Sequence, residues 1–255
     1  DSENRFAVYA DHIDRVNVPD GAIYPKALIQ WRGFGLFDRE IYFLSFDHTL
    51  YVKDFTSEHK KPLSRNPQRI NNIFTSTLKY DIHVLARNII LFSDSKGELL
   101  TNRLPYRLLD KDLAGFSFDP GSDRALIWTK NSIGMVDFAQ SGRRDVFEPQ
   151  TALHWLVTEG EDIEQAFWIN GGTSILYRDR SNIFLREVVT AGEPLTFPLL
   201  SVKPGTSVHY SESTGRMYFL DKKTDELLSV SILPRQPATE EADDVHEERP
   251  NILSP

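Results

Sequence analysis

Along this chain the apolar residues fall into short unbroken groups set between polar turns, and the same arrangement recurs. Six copies are visible: FAVY (Phe6 to Tyr9), IYFL (Ile41 to Leu44), IILF (Ile89 to Phe92), ALIW (Ala125 to Trp128), SILY (Ser174 to Tyr177) and MYFL (Met217 to Leu220). A turn follows each one (ADHID, SFDHT, SDSKG, TKNS, RDRSN, DKKTDE), and a second apolar segment resumes at Val16, Leu50, Leu99, Ile133, Ile183 and Leu227. Each pair predicts a β-hairpin. The tetrads start 35 to 49 residues apart, about 42 on average, which is the spacing of four-stranded propeller blades.

The stretch from Leu113 to Phe138 is the clearest single unit. Asp119-Pro120-Gly121 marks its first turn, with Pro120 presetting φ and Gly121 able to take φ > 0. Alternating or small-residue strands precede most tetrads: ALIQWRG from Ala27, DIHVLA from Asp81, LAGFSFD from Leu113, IEQAFWI from Ile163 and TSVHYSE from Thr206. They fit the innermost strand of a blade, where small side chains relieve crowding. HKKPLS, LPYRLLD and EPLTFPLL fit the outermost strand, where proline is tolerated because one edge has no ladder partner.

The expected fold is therefore all-β, a propeller of six four-stranded blades over residues 1–234, with a pair of β-sandwiches as its rival. Helical periodicity is not sustained; Thr151 to Gly160 is the one plausible short helix and reads nearly as well as a strand. No inner strand precedes the first tetrad, so either the chain is a segment of a longer protein or Asn251 to Leu253 returns to the first blade; the former is favoured.

Composition narrows the function classes. Net charge is −8 with pI near 5.4, and the cationic runs are no longer than pairs such as Lys60–Lys61, Arg143–Arg144 and Lys222–Lys223, which argues against nucleic-acid binding. No apolar run reaches the roughly 20 residues of a membrane span. Cysteine is absent, which excludes disulfides and thiolate chemistry. Residues 235–255 form an acidic tail, with Glu240, Glu241, Asp243, Asp244, Glu247 and Glu248 against Arg235 and Arg249, and read as a solvated terminus or a docking segment for a basic partner.

The unit FSFDPGSDRALIW…IGMVDF resembles the WD40-like repeats of TolB-type propellers, although it reads Phe-Asp-Pro-Gly where that pattern has Ser-Pro-Asp-Gly. The resemblance is good for one blade; the others share only the hairpin rhythm. It implies a non-enzymatic binding platform of a bacterial envelope, sometimes following PEGA-type β domains, and so an extracytoplasmic location, with the cytoplasm as the alternative.

Asp11, His12 and Asp14 in one turn, with Asp47 and His48 in the equivalent turn, are ligand-capable, but hairpin turns favour Asp for backbone reasons. Ser117, Asp119 and Gly121 resemble the Asp-box turn of sialidases, with Arg124 in place of its tryptophan, and read as an ordinary turn. Acid pairs could be drawn from Asp81, Asp112, Glu161, Asp162 and Glu164, as from any surface with many carboxylates. No catalytic residue, metal or cofactor is assigned.

The functional expectation is a non-catalytic protein-binding or scaffold module whose ligand is a protein partner or a second copy. Its binding surface would be the ring of hairpin turns, acidic at Asp11, His12, Asp14, Asp47 and His48 and basic at Lys130, Arg178, Arg180, Lys222 and Lys223. Trp155, beside His154, is the candidate exposed aromatic. The alternative is a propeller hydrolase or lactonase with a carboxylate and Ca²⁺ site at the channel mouth.

Overall fold

The computed structural model describes residues 4–8, 12–17, 23–29, 31–46, 49–54, 60–62, 74, 79–103, 105–139, 153–188 and 194–232. Their strands form six antiparallel sheets, each built from consecutive strands. Sheet 1 holds β1 (Asn4–Val8), β2 (His12–Asn17) and β3 (Ile23–Ile29), and sheet 2 holds β4 (Trp31–Phe37), β5 (Glu40–Ser45), β6 (Leu50–Asp54) and β7 (Lys60–Pro62). Sheet 3 comprises β8 (Asp81–Ala86), β9 (Ile89–Ser93), β10 (Leu99–Thr101) and β11 (Arg107–Leu109). Sheet 4 comprises β12 (Gly115–Asp119), β13 (Arg124–Trp128), β14 (Ile133–Asp137) and β15 (His154–Val157). Sheet 5 runs through β16 (Ile163–Ile169), β17 (Ser174–Asp179), β18 (Asn182–Glu187) and β19 (Thr196–Ser201), and sheet 6 through β20 (His209–Ser211), β21 (Arg216–Leu220) and β22 (Leu227–Ser231).

The unbroken tetrads have a direct physical cause. Successive side chains of a strand point to opposite faces, so a strand that is apolar throughout belongs to a sheet buried on both faces. In β9, Ile90 and Phe92 enter the core shared with sheet 2, whereas Ile89 and Leu91 enter the core shared with sheet 4. Likewise Ala125 and Ile127 of β13 face sheet 3 while Leu126 and Trp128 face sheet 5, and in β17 Tyr177 and Leu176 divide between sheets 4 and 6. Sheets 2 to 6 thus pack face against face in chain order. Each tetrad occupies its own sheet, which rules out the sandwich pair.

Inner and outer strands fall largely where the pattern places them. Pro62 and Pro198 both lie in fourth strands, β7 and β19, at sheet edges. One inner strand differs from expectation: residues 27–29 end β3 of sheet 1, and the inner strand of sheet 2 is Trp31–Phe37, carrying Gly33 and Gly35. A Cβ on Gly33 would stand 2.0 Å from the carbonyl oxygen of Tyr80, and one on Gly35 would stand 2.5 Å from that of Ile82. Small residues here let two inner strands approach backbone to backbone.

Three local readings are corrected. The helix suggested across Thr151 to Gly160 is replaced by β15, because Leu153 enters the core towards sheet 3 and Leu156 and Val157 enter the core towards sheet 5. His12 and Asp14 are strand positions in β2, opposite Ile29 and Ala7, not turn residues. In the turn after β12 the left-handed residue is Asp123 (φ 52°) instead of Gly121; Asp119 Oδ1 accepts from the Gly121 N–H at 3.0 Å, and its other oxygen accepts from the Ser122 hydroxyl. The predicted return of Asn251 to Leu253, the tail 235–255, and Asp11, Asp47 and His48 lie outside the described residues.

Candidate functional site

The second-to-third-strand turns and the links between sheets meet on one side of the stack. The link into sheet 4 donates from the Asp112 and Leu113 N–H groups to the Lys96 and Gly97 carbonyls of the sheet 3 turn, and from the Ala114 N–H to the Trp128 carbonyl. One sheet further, the Gly160 and Ile163 N–H groups donate to Asn131 and Lys130, and Arg180 donates to the Asp162 carbonyl. The pattern repeats at Val202 to Ser181 and Lys203 to Leu220. Across sheets 3 to 6 the loops are therefore one continuous, backbone-bonded rim. Asp112, Asp162 and Gly205 hold the left-handed conformation (φ 64°, 63° and 71°) at corresponding places in three successive links, a turn that Asp and Gly adopt more readily than other residues.

Two open clefts adjoin on this rim. One, about 600 Å³, lies between residues 109–114 and Thr129, Lys130 and Asn131. The other, about 530 Å³, lies between the same Lys130 and Asn131, residues 158–162 and Arg180.

The charges of the rim are paired locally. Lys130 Nζ stands 3.7 Å from Asp162, Arg180 stands 3.5 Å from Glu161, and Lys203 stands 2.8 Å from Asp225. These exposed pairs are each worth at most ~1 kcal/mol. Across sheets 4 to 6 basic side chains of the rim thus stand beside carboxylates, and the charges there are interleaved. Arg178 is a clear exception to its predicted place: it is 1% exposed within β17, pairs with Glu164 of β16 at 2.5 Å and donates from Nε to the Arg180 carbonyl. Glu164 occupies a β-bulge between Ile163 and Gln165, which re-aims its side chain. Lys222 and Lys223 remain exposed in the turn after β21, where the Thr224 and Lys223 N–H groups hold the Asp221 carboxyl below the usual carboxylate range.

Of the candidate acid pairs, Glu161, Asp162 and Glu164 are each ion-paired, Asp112 pairs with Lys111, and Asp81 is exposed at the start of β8. Among the described residues no three His, Asp or Glu side chains group as a metal site. Trp155 stands on β15 opposite Gly134 and is 43% exposed, with His154 exposed beside it.

Sequence reasoning missed one polar contact. His83 Nε2 and Ser93 Oγ stand 3.0 Å apart, on the face of sheet 3 turned towards sheet 4, with the imidazole edge-on to Phe116 at 4.8 Å. Burial pushes the His83 pKa down from 6.5, partly opposed by Asp81. A Ser–His contact is a nucleophile–base arrangement in form. Here Ser93 is 8% exposed, and the pair acts as a polar tie between adjacent strands β8 and β9 of one sheet. The alternation Asp81, His83 in a strand facing Ser93 was the available signal.

The opposite ends of the sheets are laced differently. Arg87 reaches Asp38 at 3.6 Å, Arg103 donates to the Phe138 carbonyl, Arg124 donates to the Gly172 carbonyl with its guanidinium over Trp168, and the Gly171 N–H donates to Glu212.

No family model matches the chain, and no curated protein matches it in sequence. Solved structures do match in fold. Hsv2 of Kluyveromyces lactis, a β-propeller protein, aligns at TM-score 0.51 with 11% identity over 95% of this chain and 77% of its own. The Cps50 (Swd1) β-propeller domain of Myceliophteria thermophila aligns at 0.42 and 8% identity over 90% and 83%. PorZ of Porphyromonas gingivalis, a bacterial surface component of the type-IX secretion system, aligns at 0.43 and 12% identity over 90% and 32%. The Hsv2 likeness, with the serial face-to-face sheets, establishes a propeller fold.

Proposed function

We propose that this chain is a six-bladed propeller of WD40-like, TolB-type character that serves as a non-catalytic protein-binding or scaffold module in a bacterial envelope or surface assembly. The observation that carries the reading is the continuous rim: described turns and links between residues 94 and 226 are joined by backbone bonds, which holds their exposed and locally paired side chains in one fixed array. Six serial sheets, with the tetrads of sheets 3, 4 and 5 each feeding two interfaces, favour closure as six blades. Interleaved exposed charges suit an oriented contact with a protein or a second copy better than a bare electrostatic attraction.

Lys222 and Lys223 test the rim because both are exposed and distant in sequence from the buried Arg178. Sedimentation velocity of the full chain should show concentration-dependent self-association at low ionic strength, where the Debye length is about 30 Å, that weakens towards 1 M salt, where it is about 3 Å. Reversing both lysines to Glu should reduce that association at low salt and change little at high salt. Association that is indifferent to the reversal, or absent at every salt concentration, would remove the rim as a self-binding surface.

A further inference from the structure

The turn between β16 and β17, Asn170-Gly171-Gly172-Thr173, is clamped from both neighbouring sheets. From sheet 4, Arg124 donates from Nη2 to the Gly172 carbonyl at 2.9 Å. From sheet 6, Glu212 Oε1 accepts from the Gly171 N–H at 3.1 Å. Within the turn the Gly172 N–H donates to the Ile169 carbonyl, and the Asn170 carbonyl accepts from both the N–H and the hydroxyl of Thr173. Asn170, Gly171 and Gly172 all take the left-handed conformation (φ 53°, 60° and 77°), which asparagine and glycine reach at the least cost. A run of backbone in this shape selects the Asn-Gly pair.

The same pair is chemically labile. The carboxamide carbon of an asparagine lies within reach of the next residue's main-chain nitrogen, and attack there closes a succinimide ring. Glycine hinders that attack least, and of the chain's asparagines Asn170 alone is followed by glycine. Asn170 and Gly171 are both exposed, and a Cβ built on Gly171 would meet no described atom within 4 Å, so solvent reaches the reacting atoms. We propose that Asn170 is a self-modification site whose rate is held down by Glu212. The Gly171 N–H proton leaves to base, the nitrogen bonds to Asn170 Cγ, and the carboxamide nitrogen departs as ammonia. Water then opens the ring at Cγ to give aspartate, or at the main-chain carbonyl carbon to give isoaspartate. Isoaspartate carries the main chain through the side-chain carbon, lengthening the turn by a methylene and converting the carbonyl that Thr173 bonds into a free carboxylate. Either product sets a new negative charge close to Glu212.

Glu212 restrains the first step in two ways. Its hydrogen bond commits the Gly171 N–H to sheet 6, so the turn must open locally before the nitrogen can attack. Its negative charge opposes loss of the amide proton, and a carboxylate is too weak a base to take that proton itself. The closed junction of sheets 5 and 6 therefore protects the turn, and conversion, once made, weakens that junction irreversibly. The site lies at the ends of the sheets opposite the rim and does not depend on it.

The test incubates the full chain, folded, at neutral and at mildly alkaline pH, beside a sample unfolded in urea. Peptide mass spectrometry with isoaspartyl methyltransferase labelling follows conversion. In the folded chain Asn170 should convert ahead of every other asparagine, including the exposed Asn131 with Ser132 after it, and faster at the higher pH. Folding should slow Asn170 relative to the urea sample. Glu212→Ala should speed conversion in the folded chain about tenfold, with Glu212→Gln between it and the parent. The converted fraction, separated by ion exchange, should show faster hydrogen exchange in β20 with β9 unchanged. Melting temperatures of both variants separate loss of the contact from a folding defect, and the comparison of folded with urea-unfolded parent stands whatever the variants do. Three results would each overturn the proposal: conversion at Asn170 no faster than at Asn131, equal rates folded and in urea, or a Glu212→Ala rate at or below the parent's with the melting temperature unchanged.

Discussion

The interface between sheets 2 and 3 and the interface between sheets 5 and 6 solve the same packing problem in opposite ways. In the first, the inner strands touch through backbone, with Gly33 and Gly35 against the carbonyls of Tyr80 and Ile82, and among the described residues no charged side chain is buried beside Tyr42, Leu44, Phe74, Ile90 and Phe92. In the second, a side chain bridges the distance. The Gln165 amide oxygen accepts from the Val208 N–H at 2.9 Å, and its nitrogen donates to the Val208 carbonyl at 3.5 Å. Arg178 is buried nearby and pairs with the exposed Glu164, and Phe197 and Leu228 are partly exposed at the outer end. Backbone contact admits no side chain at all, whereas a polar clamp loses only its own bonds when removed.

That contrast can be broken at Gly33 with the largest effect. Gly33→Ala places a carbon 2.0 Å from the backbone carbonyl oxygen of Tyr80, directly before β8, which cannot swing away like a side chain. Overpacking of a core usually costs 1–3 kcal/mol, and this site should exceed about 3 kcal/mol. Denaturant unfolding of the variant measures it. A loss below about 1 kcal/mol would show that sheets 2 and 3 can slide apart and that the close approach is not fixed.

At the other interface, Gln165→Ala should cost less, about 1–3 kcal/mol, because it strands the buried Val208 N–H without altering the apolar core. Hydrogen exchange at Val208 should rise selectively, while protection in β9 is unchanged. An equal rise in both places would mean that the interfaces unfold as one unit and that the comparison has no energetic content.

The smallest effect concerns the interface between these two. His83 carries a folded pKa depressed below 6.5 by burial, so the unfolded chain takes up the proton first as pH falls. Its neutral form contributes stability that is complete above about pH 6.5 and declines as pH drops towards the folded value. Melting temperature should therefore fall on acidification through this window in the parent and fall less in His83→Gln, which keeps a partner for Ser93. Identical slopes would assign the acid sensitivity to carboxylates.

Much of this architecture was legible because propeller sheets impose a strong local rule. A strand buried on both faces must be apolar at every position, and IILF, ALIW and SILY announce such strands without reference to any partner. The proline-bearing outer strands followed from the missing N–H in the same way. The strand at His154–Val157 was less legible, since LHWLV satisfies both periods and only the cores on its two sides decided the matter.

The candidate surface was read less completely, and the reason is geometric. Arg178 sits one residue after a tetrad and looks like the start of a charged turn, but the strand continues to Asp179 and aims Arg178 into the interface. The pairings of Lys130 with Asp162 and of Arg180 with Glu161 join turns to links that sequence treats separately. So the chain itself determined most of the strands, the serial order of the sheets and the side on which the loops collect, because these depend on alternation and turn chemistry within a few residues. Which charges neutralise one another and which histidine is half-buried were decided only when one sheet was laid against the next, since desolvation and ion pairing depend on distances between residues far apart in the chain.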